Sequence, residues 1–257
     1  MKFVRYQDRT GTAQYGVLEG ETVHSASGDP FSGLRAGDAV GQVTELTLLP
    51  PIVPGKIVCI GLNYAAHVTE NDASREVPDE PVMFMKPGSA LIGDGDEIKV
   101  ANPQNATDYE AELAIVIGRE ARNVEEARAS DYVLGITAAN DVSDRVLQKK
   151  DGQWVRAKGY DTYCPLGPSV QTEFDLMSGD IKVESRLNGE VRQSQKTSNM
   201  IFDPHFLIAF VSGVMTLNPG DVILTGTPEG VGPMKPGDTI EVEVGGVGVL
   251  RNTVGKA

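Results

Sequence analysis

Cysteine, aromatic rings and positive charge are all scarce in this chain of 257 residues. The two cysteines, Cys59 and Cys164, stand in unrelated contexts and form no CxxC pair. That excludes a disulfide framework and a thiolate zinc site, and both read as packing residues among apolar neighbours. Lys and Arg total 23 against 36 Asp and Glu, giving a net charge of -13. Such a chain attracts neither nucleic acid nor an anionic membrane through its overall field. A small anionic substrate would have to be held locally, by a metal ion or a few basic groups. The uncharged segment from Phe206 to Gly220 is too short to span a bilayer and carries Ser212, Thr216, Asn218 and Pro219. The N-terminus, MKFVRYQDRT, lacks the long apolar stretch of a signal peptide. A soluble cytoplasmic protein is expected, with no internal repeat and no low-complexity segment.

Glycine is abundant at 29 residues and proline numbers 15. Many tight turns between short strands produce that composition. The run Leu49-Pro50-Pro51-Ile52-Val53-Pro54-Gly55 is a stiff extended connector. It divides a small β-rich N-terminal domain, residues 1–53, from a second domain, residues 54–257. Lys2 to Tyr6 and Gln14 to Leu18 are strand candidates, whereas Gly28 to Val43 shows only weak periodicity. Lys56 to Gly61 and Glu112 to Gly118 read as buried strands, and Tyr132 to Ala139 as another. Helices are expected over Val124–Ala129 capped by Asn123, over Ser143–Lys150 capped by Ser143, and from Asp203-Pro204 to Thr216. Strands outnumber helices without regular alternation. This argues against a doubly wound sheet or a TIM barrel and for a mainly β, α+β architecture with a few outer helices.

The chemistry begins at Asp108-Tyr109-Glu110-Ala111-Glu112. A two-residue period places Asp108, Glu110 and Glu112 on one face of a strand that continues as Leu113 to Ile117, apolar on both faces. Carboxylates carried into the interior are costly unless a cation compensates them. Asp141 follows the apolar run Val133 to Ala139 in the same way, so neighbouring strands would bring Glu110, Glu112 and Asp141 together. Three oxygen ligands without His or Cys suit a hard cation such as Mg²⁺ or Mn²⁺. A 2-oxo acid can occupy two of the remaining ligand positions. Arg145 and Gln148 share a helix face, and Lys158 follows ten residues later; together they can donate to an oxyanion. His67 and Glu70 form H-x-x-E, which orients an imidazole and raises its basicity. His24 and His205 have no comparable partner. The turn Thr225-Gly226-Thr227-Pro228-Glu229-Gly230 is not a P-loop, but its glycines let a backbone N–H or the Thr227 hydroxyl approach a carboxylate.

Seven stretches fall into a familiar order: GLNYAAHVTE (61–70), PVMFMKPGSAL (81–91), DYEAELAIVIGR (108–119), ITAANDVSDRVLQ (136–148), QWVRAKGYDTYCPLGP (153–168), TSNMIF (197–202) and LNPGDVILTGTPEGVG (217–232). On these the chain resembles the fumarylacetoacetate hydrolase family over roughly residues 55–250. The resemblance implies a mixed β-sandwich roll with a small N-terminal β-rich domain, and a homodimer. It implies metal ligands at Glu110, Glu112 and Asp141. It also implies a His67–Glu70 dyad on a lid, His67 to Pro81, that orders over substrate. Arg145, Gln148 and Lys158 would surround the reacting oxygen, and Thr227 would contact a substrate carboxylate. The bacterial branch it looks most like includes 2-hydroxyhepta-2,4-diene-1,7-dioate isomerases, acylpyruvate hydrolases and oxaloacetate decarboxylases. The expected activity is C–C hydrolysis of an acylpyruvate- or fumarylpyruvate-type substrate or decarboxylation of oxaloacetate, through an enolate held at Mg²⁺ or Mn²⁺. Dienol isomerisation is the alternative within the family. A non-catalytic 2-oxo acid binding protein is the alternative outside enzymology.

Overall fold

The computed structural model describes residues 1–70, 72–176 and 180–257. The N-terminal part is a meander of β1 (Lys2–Gln7), β2 (Ala13–Glu19), β3 (Thr22–Asp29), β4 (Gly33–Gln42) and β5 (Thr47–Leu49). Then follow β6 (Ile57–Gly61), helix α1 (Ala65–Thr69), β7 (Val82–Lys86), β8 (Leu91–Ile92), β9 (Glu97–Val100), β10 (Thr107–Tyr109), β11 (Ala111–Ile117) and β12 (Val133–Asn140). The middle holds β13 (Ser143–Asp144), α2 (Arg145–Lys150), α3 (Val155–Lys158) and β14 (Cys164–Gln171). The last third comprises β15 (Lys182–Leu187), β16 (Glu190–Lys196), α4 (Pro204–Val214), β17 (Val222–Leu224), β18 (Gly232–Pro233), β19 (Thr239–Val244) and β20 (Gly248–Lys256).

A twelve-stranded sheet runs β4-β3-β2-β1-β14-β12-β11-β17-β6-β7, with β5 on β1 and β8 on β14. A five-stranded sheet runs β16-β15-β19-β20-β9, and β13-β10-β18 form a small third sheet. The fold is mainly β with a few helices, as expected. β11 is buried on both faces, which explains its unbroken apolar run. Leu113, Ile115 and Ile117 pack with Val183, Val242 and Val244 of the five-stranded sheet and with Leu207 and Val211 of α4. Ala114 and Val116 share the opposite core with Val222, Leu224, Cys59 and Leu166.

The N-terminal meander is not a separate layer. β1 pairs with β14 through Lys2–Gln171 and Phe3–Val170, and Phe3, Val17 and Leu34 share the core of Cys59 and Val116. The proline-rich connector lies between β5 and β6, and the twelve-stranded sheet draws strands from both sides of it. β4 runs through the segment where periodicity was weak. Most of its residues are exposed on both faces, so no alternation could appear in the sequence.

Three helix expectations shift in detail. Asp144, not Ser143, caps α2, accepting the N–H groups of Val146 and Leu147. The segment after Asn123 is a 3₁₀ helix, Glu126–Tyr132, and Asn123 itself has φ +51°. Ser212 of α4 holds this turn instead, accepting the N–H of Asn123 on its carbonyl and that of Val124 on its hydroxyl. α4 begins at the Asp203-Pro204 signal but ends at Val214. No described helix is long and apolar enough to cross a membrane.

Candidate active site

Strand register builds the site. β11 and β12 are antiparallel, with Ala111 opposite Asn140 and Glu112 opposite Ala139. The start of one strand thus meets the end of the other, and the Asp141 N–H donates to the Glu110 carbonyl at 2.9 Å. β17 lies on the other side of β11, with Ala114 opposite Leu224. Two residues further along, Gly226 comes to Glu112 and donates its N–H to Oε2 at 2.7 Å. Glu110 belongs to no strand: it sits where the chain leaves β10 in the small sheet and enters β11 in the large one. The expected continuous strand is broken at the residue whose side chain must turn inward.

Glu110, Glu112 and Asp141 are all buried, and each offers a carboxylate oxygen within 4.8 Å of the others. Cations crowd the first and last. Lys158 Nζ lies 2.7 Å from both Glu110 Oε2 and Asp141 Oδ2. Arg145 Nη1 lies 2.6 Å from Glu110 Oε1, and its Nε donates to Asp108 Oδ2 at 2.7 Å. Lys86, which no sequence argument singled out, is a further member. Its ammonium lies 2.7 Å from Asp141 Oδ1 and donates to the carbonyls of Val142, Lys158 and Tyr163. Asp108, Glu110, Glu112 and Asp141 thus face three cations. Glu112 is the carboxylate without an ion pair among the described residues.

The electrostatics follow this distribution. Burial would raise the Glu110 pKa, but Lys158 and Arg145 outweigh it and hold the carboxyl well below the usual range. Burial, followed by the charges of Asp141 and Glu110, raises Glu112 well above it. Lys158 keeps its proton despite burial because Asp141 and Glu110 raise its pKa. An oxygen-only donor set with one uncompensated buried carboxylate fits a hard divalent cation.

His67 lies in the middle of α1, and Glu70 just beyond its C-terminal end. His67 Nδ1 is 3.0 Å from Glu70 Oε2, and the Gly230 N–H donates to Glu70 Oε1 at 2.7 Å. Burial pulls the Glu70 pKa up, yet His67 and the Gly230 amide bring it below its ordinary value. An ionised Glu70 fixes the proton on Nδ1 and leaves Nε2 available. Asn71, inside the segment expected to be a lid, lies outside the described residues.

Two glycines serve this geometry. Gly226 has φ +98°, and a Cβ there would fall 2.6 Å from Cβ of Asn63. Gly230 has φ +97°, and a Cβ would strike the Arg192 carbonyl. Both positions need the left-handed region and both amides end on a carboxylate of the site. Asn63 secures the loop from behind, donating to the carbonyls of Thr225 and Phe202 and accepting the Phe202 N–H.

A cavity of about 540 Å³ opens over these groups. His67, Glu110, Glu112, Arg145, Gln148, Lys158 and Thr227 all line it, so seven of the nine expected residues meet in one space. Glu70 stands behind His67, and Asp141 lies beneath, on Lys158. Gln148 accepts from Arg145 Nη1, leaving its amide N–H groups to offer. Arg145 Nη2 is buried without a protein partner. The Thr227 hydroxyl donates to the Ala111 carbonyl and accepts from Gln193 Nε2, so contact with a carboxylate through that hydroxyl requires it to rotate. Trp154 forms an apolar wall against Phe84, and Gly61 makes room for it: a Cβ there would lie 2.6 Å from the indole.

The histidines and cysteines set aside in the sequence are structural. His205 meets the Ser130 hydroxyl at 2.6 Å, tying α4 to the 3₁₀ turn. Cys59 and Cys164 are free and fully buried, and burial pushes the Cys164 thiol up to about 12. Lys86 carried no usable signal beyond its place in PVMFMKPGSAL. A lysine is ordinarily exposed, and three of its four partners are backbone carbonyls, which leave no trace in side-chain pattern.

The family model described as fumarylacetoacetate (FAA) hydrolase C-terminal matches residues 56–255. A second, described as Rv2993c-like, N-terminal, matches residues 1–51. The mitochondrial oxaloacetate tautomerase fahd2 of Xenopus laevis is 41% identical over 235 residues, covering 87% of this chain and 73% of the relative. The crystal structure of 5-carboxymethyl-2-hydroxymuconate delta-isomerase from Mycobacterium smegmatis superposes with a TM-score of 0.90 at 41% identity, covering 100% of both chains. Maleylpyruvate hydrolase from a Sphingobium species, solved with manganese (II) ion and pyruvate, superposes with a TM-score of 0.82 at 30% identity, again over 100% of both.

Proposed function

We propose that this chain, which belongs to the fumarylacetoacetate hydrolase family, is an enzyme that moves a proton on the enol or enolate of a small 2-oxo acid. The observation that carries this reading is the opening of His67, backed by Glu70, into the same cavity as Glu110 and Glu112. Glu110, Glu112 and Asp141 would hold Mg²⁺ or Mn²⁺. When bound, the cation would supply Lewis-acid charge for the carboxylate and 2-oxo oxygens of the substrate.

The chain's own groups do the rest. Arg145 Nη2 and the Gln148 amide donate to substrate oxygens. The Lys158 ammonium, 4.9 Å from the Phe84 ring centroid, is a fixed positive charge that favours the enolate over the ketone. His67 Nε2 takes or returns the proton at carbon 3, and Glu70 stabilises the imidazolium that forms. Trp154 and the seated α1 restrict water that would compete for the enolate.

Tautomerisation needs only this proton transfer. The relative named oxaloacetate tautomerase favours it as the basic reaction. Hydrolysis of an acylpyruvate adds attack by water at the distal carbonyl. Decarboxylation of oxaloacetate replaces proton loss by loss of CO₂, and dienol isomerisation returns the proton further along the chain. The test follows enol loss of oxaloacetate and cleavage of acetylpyruvate and of a hydroxymuconate-type dienol, with Mg²⁺, with Mn²⁺ and with EDTA. Metal-dependent acceleration of one of them, abolished by EDTA, supports the proposal and separates the reactions. Binding of 2-oxo acids without acceleration of any would make the protein a binder and overturn it.

A further inference from the structure

The cavity wall carries a charge pattern that the proton-transfer chemistry does not use. Asp72, Asp108, Glu110 and Glu112 line it on the acidic side. Arg75, Arg145, Lys149 and Lys158 line it on the basic side. The wall is therefore balanced, and a divalent cation on the carboxylates would leave it two charges positive. A 2-oxo monoacid brings one negative charge, whereas a 2-oxo diacid brings two.

The four cations are not equivalent. Arg145 and Lys158 are locked in ion pairs with Asp108, Glu110 and Asp141. Arg75 and Lys149 are exposed and make no ion pair among the described residues. Arg75 lies beyond α1, on the segment that carries His67, and Lys149 is on α2, one residue after Gln148. Glu76 adjoins Arg75 in the chain, and the other nearby acid is Asp72, three residues before it. Asp72 Oδ1 accepts both the N–H and the hydroxyl of Ser74, which occupies it locally. The cavity lining also includes the apolar Leu62, Val68, Trp154, Val231 and Pro233. A ligand suited to this wall is anionic at both ends and uncharged between.

Resting on the reading above, we propose that Arg75 and Lys149 form a distal-anion clamp that selects 2-oxo dicarboxylates over 2-oxo monocarboxylates of equal length. One cation follows the helix bearing His67 and the other is on the helix bearing Arg145 and Gln148, so a distal carboxylate would be met from two sides of the cavity.

Calorimetric titration of the Mn²⁺-loaded protein tests this without relying on turnover. The matched probes are 2-oxoglutarate against 2-oxopentanoate, and 2-oxoadipate against 2-oxohexanoate. The diacid of at least one pair should bind about tenfold more tightly, and the preference should shrink as salt rises. In Arg75→Gln/Lys149→Gln the preference should vanish while monoacid affinity stays unchanged. Equal affinity within both pairs in the wild type overturns the clamp but leaves the 2-oxo acid reading in place. Preference that survives the double variant also overturns it, as does an equal loss for diacid and monoacid, which would mark the two residues as structural. Failure of all four probes to bind overturns the clamp and the underlying reading together.

Discussion

The floor and the roof of the cavity are built on opposite principles. The floor is the meeting of β11, β12 and β17, where Glu112 sits within β11, Glu110 and Asp141 flank the strand ends, and Lys86, Arg145 and Lys158 are already paired. The roof is a five-residue helix and the turn after it, attached to the rest of the site through the Gly230 amide on Glu70. A strand-built floor holds charge in place before anything binds. A roof carried by a short helix and a loop can adjust to what has bound. The contrast separates binding from proton transfer, and substitutions should separate them too.

The largest effect belongs to the floor. Glu110→Ala should abolish divalent-cation binding and turnover while the protein stays folded, read by Mn²⁺ titration alongside circular dichroism. Retained activity would mean that the floor is not the cation site. On the roof, His67→Ala should lower turnover by about 10²–10⁴-fold with Mn²⁺ and 2-oxo acid affinity kept. A parallel loss of both would dissolve the distinction between the two regions.

Lys86 lies wholly in the floor. Lys86→Met leaves Asp141 with one cation fewer and three carbonyls without their donor, at a cost of about 3–5 kcal/mol in unfolding free energy. Urea denaturation measures that loss, and a neutral result would reduce Lys86 to a bystander. The smallest effect is in pH. Glu112 has a raised pKa in the metal-free floor, chiefly through burial and then through Asp141 and Glu110. Cation binding must therefore release its proton. Affinity should rise with pH, by up to about tenfold per unit, below the raised value and flatten above it. Titrations in buffers of different ionisation enthalpy would show the released proton. A pH-independent affinity would show that Glu112 enters the floor already ionised.

The sequence disclosed the floor better than the roof or the scaffold behind it. Strands that are apolar on both faces and begin or end in carboxylates can only bury them, so Glu112 and Asp141 were legible from the runs around them. The break at Glu110 was not, because a change of sheet leaves the two-residue period intact. Ser143 and Asp144 are equally competent caps by residue type, and only the backbone path decides between them. Lys86, Asn63 and Gln193 act largely on backbone groups brought from distant segments, so nothing near them in the chain announces their role. The dyad was legible as a spacing. That its carboxylate would be held by Gly230 was not, since the contact joins residues 160 positions apart.

Gly226 and Gly230 belong to one turn, four residues apart, and one amide ends on the floor while the other ends on the roof. The turn therefore works as a lever arm of fixed length. Any change in how Glu112 is held, by a proton or by a cation, bears on one end of it, and the other end carries the partner of the His67 imidazole. Shortening or lengthening that span by a single residue would leave both anchors present and the timing between them lost.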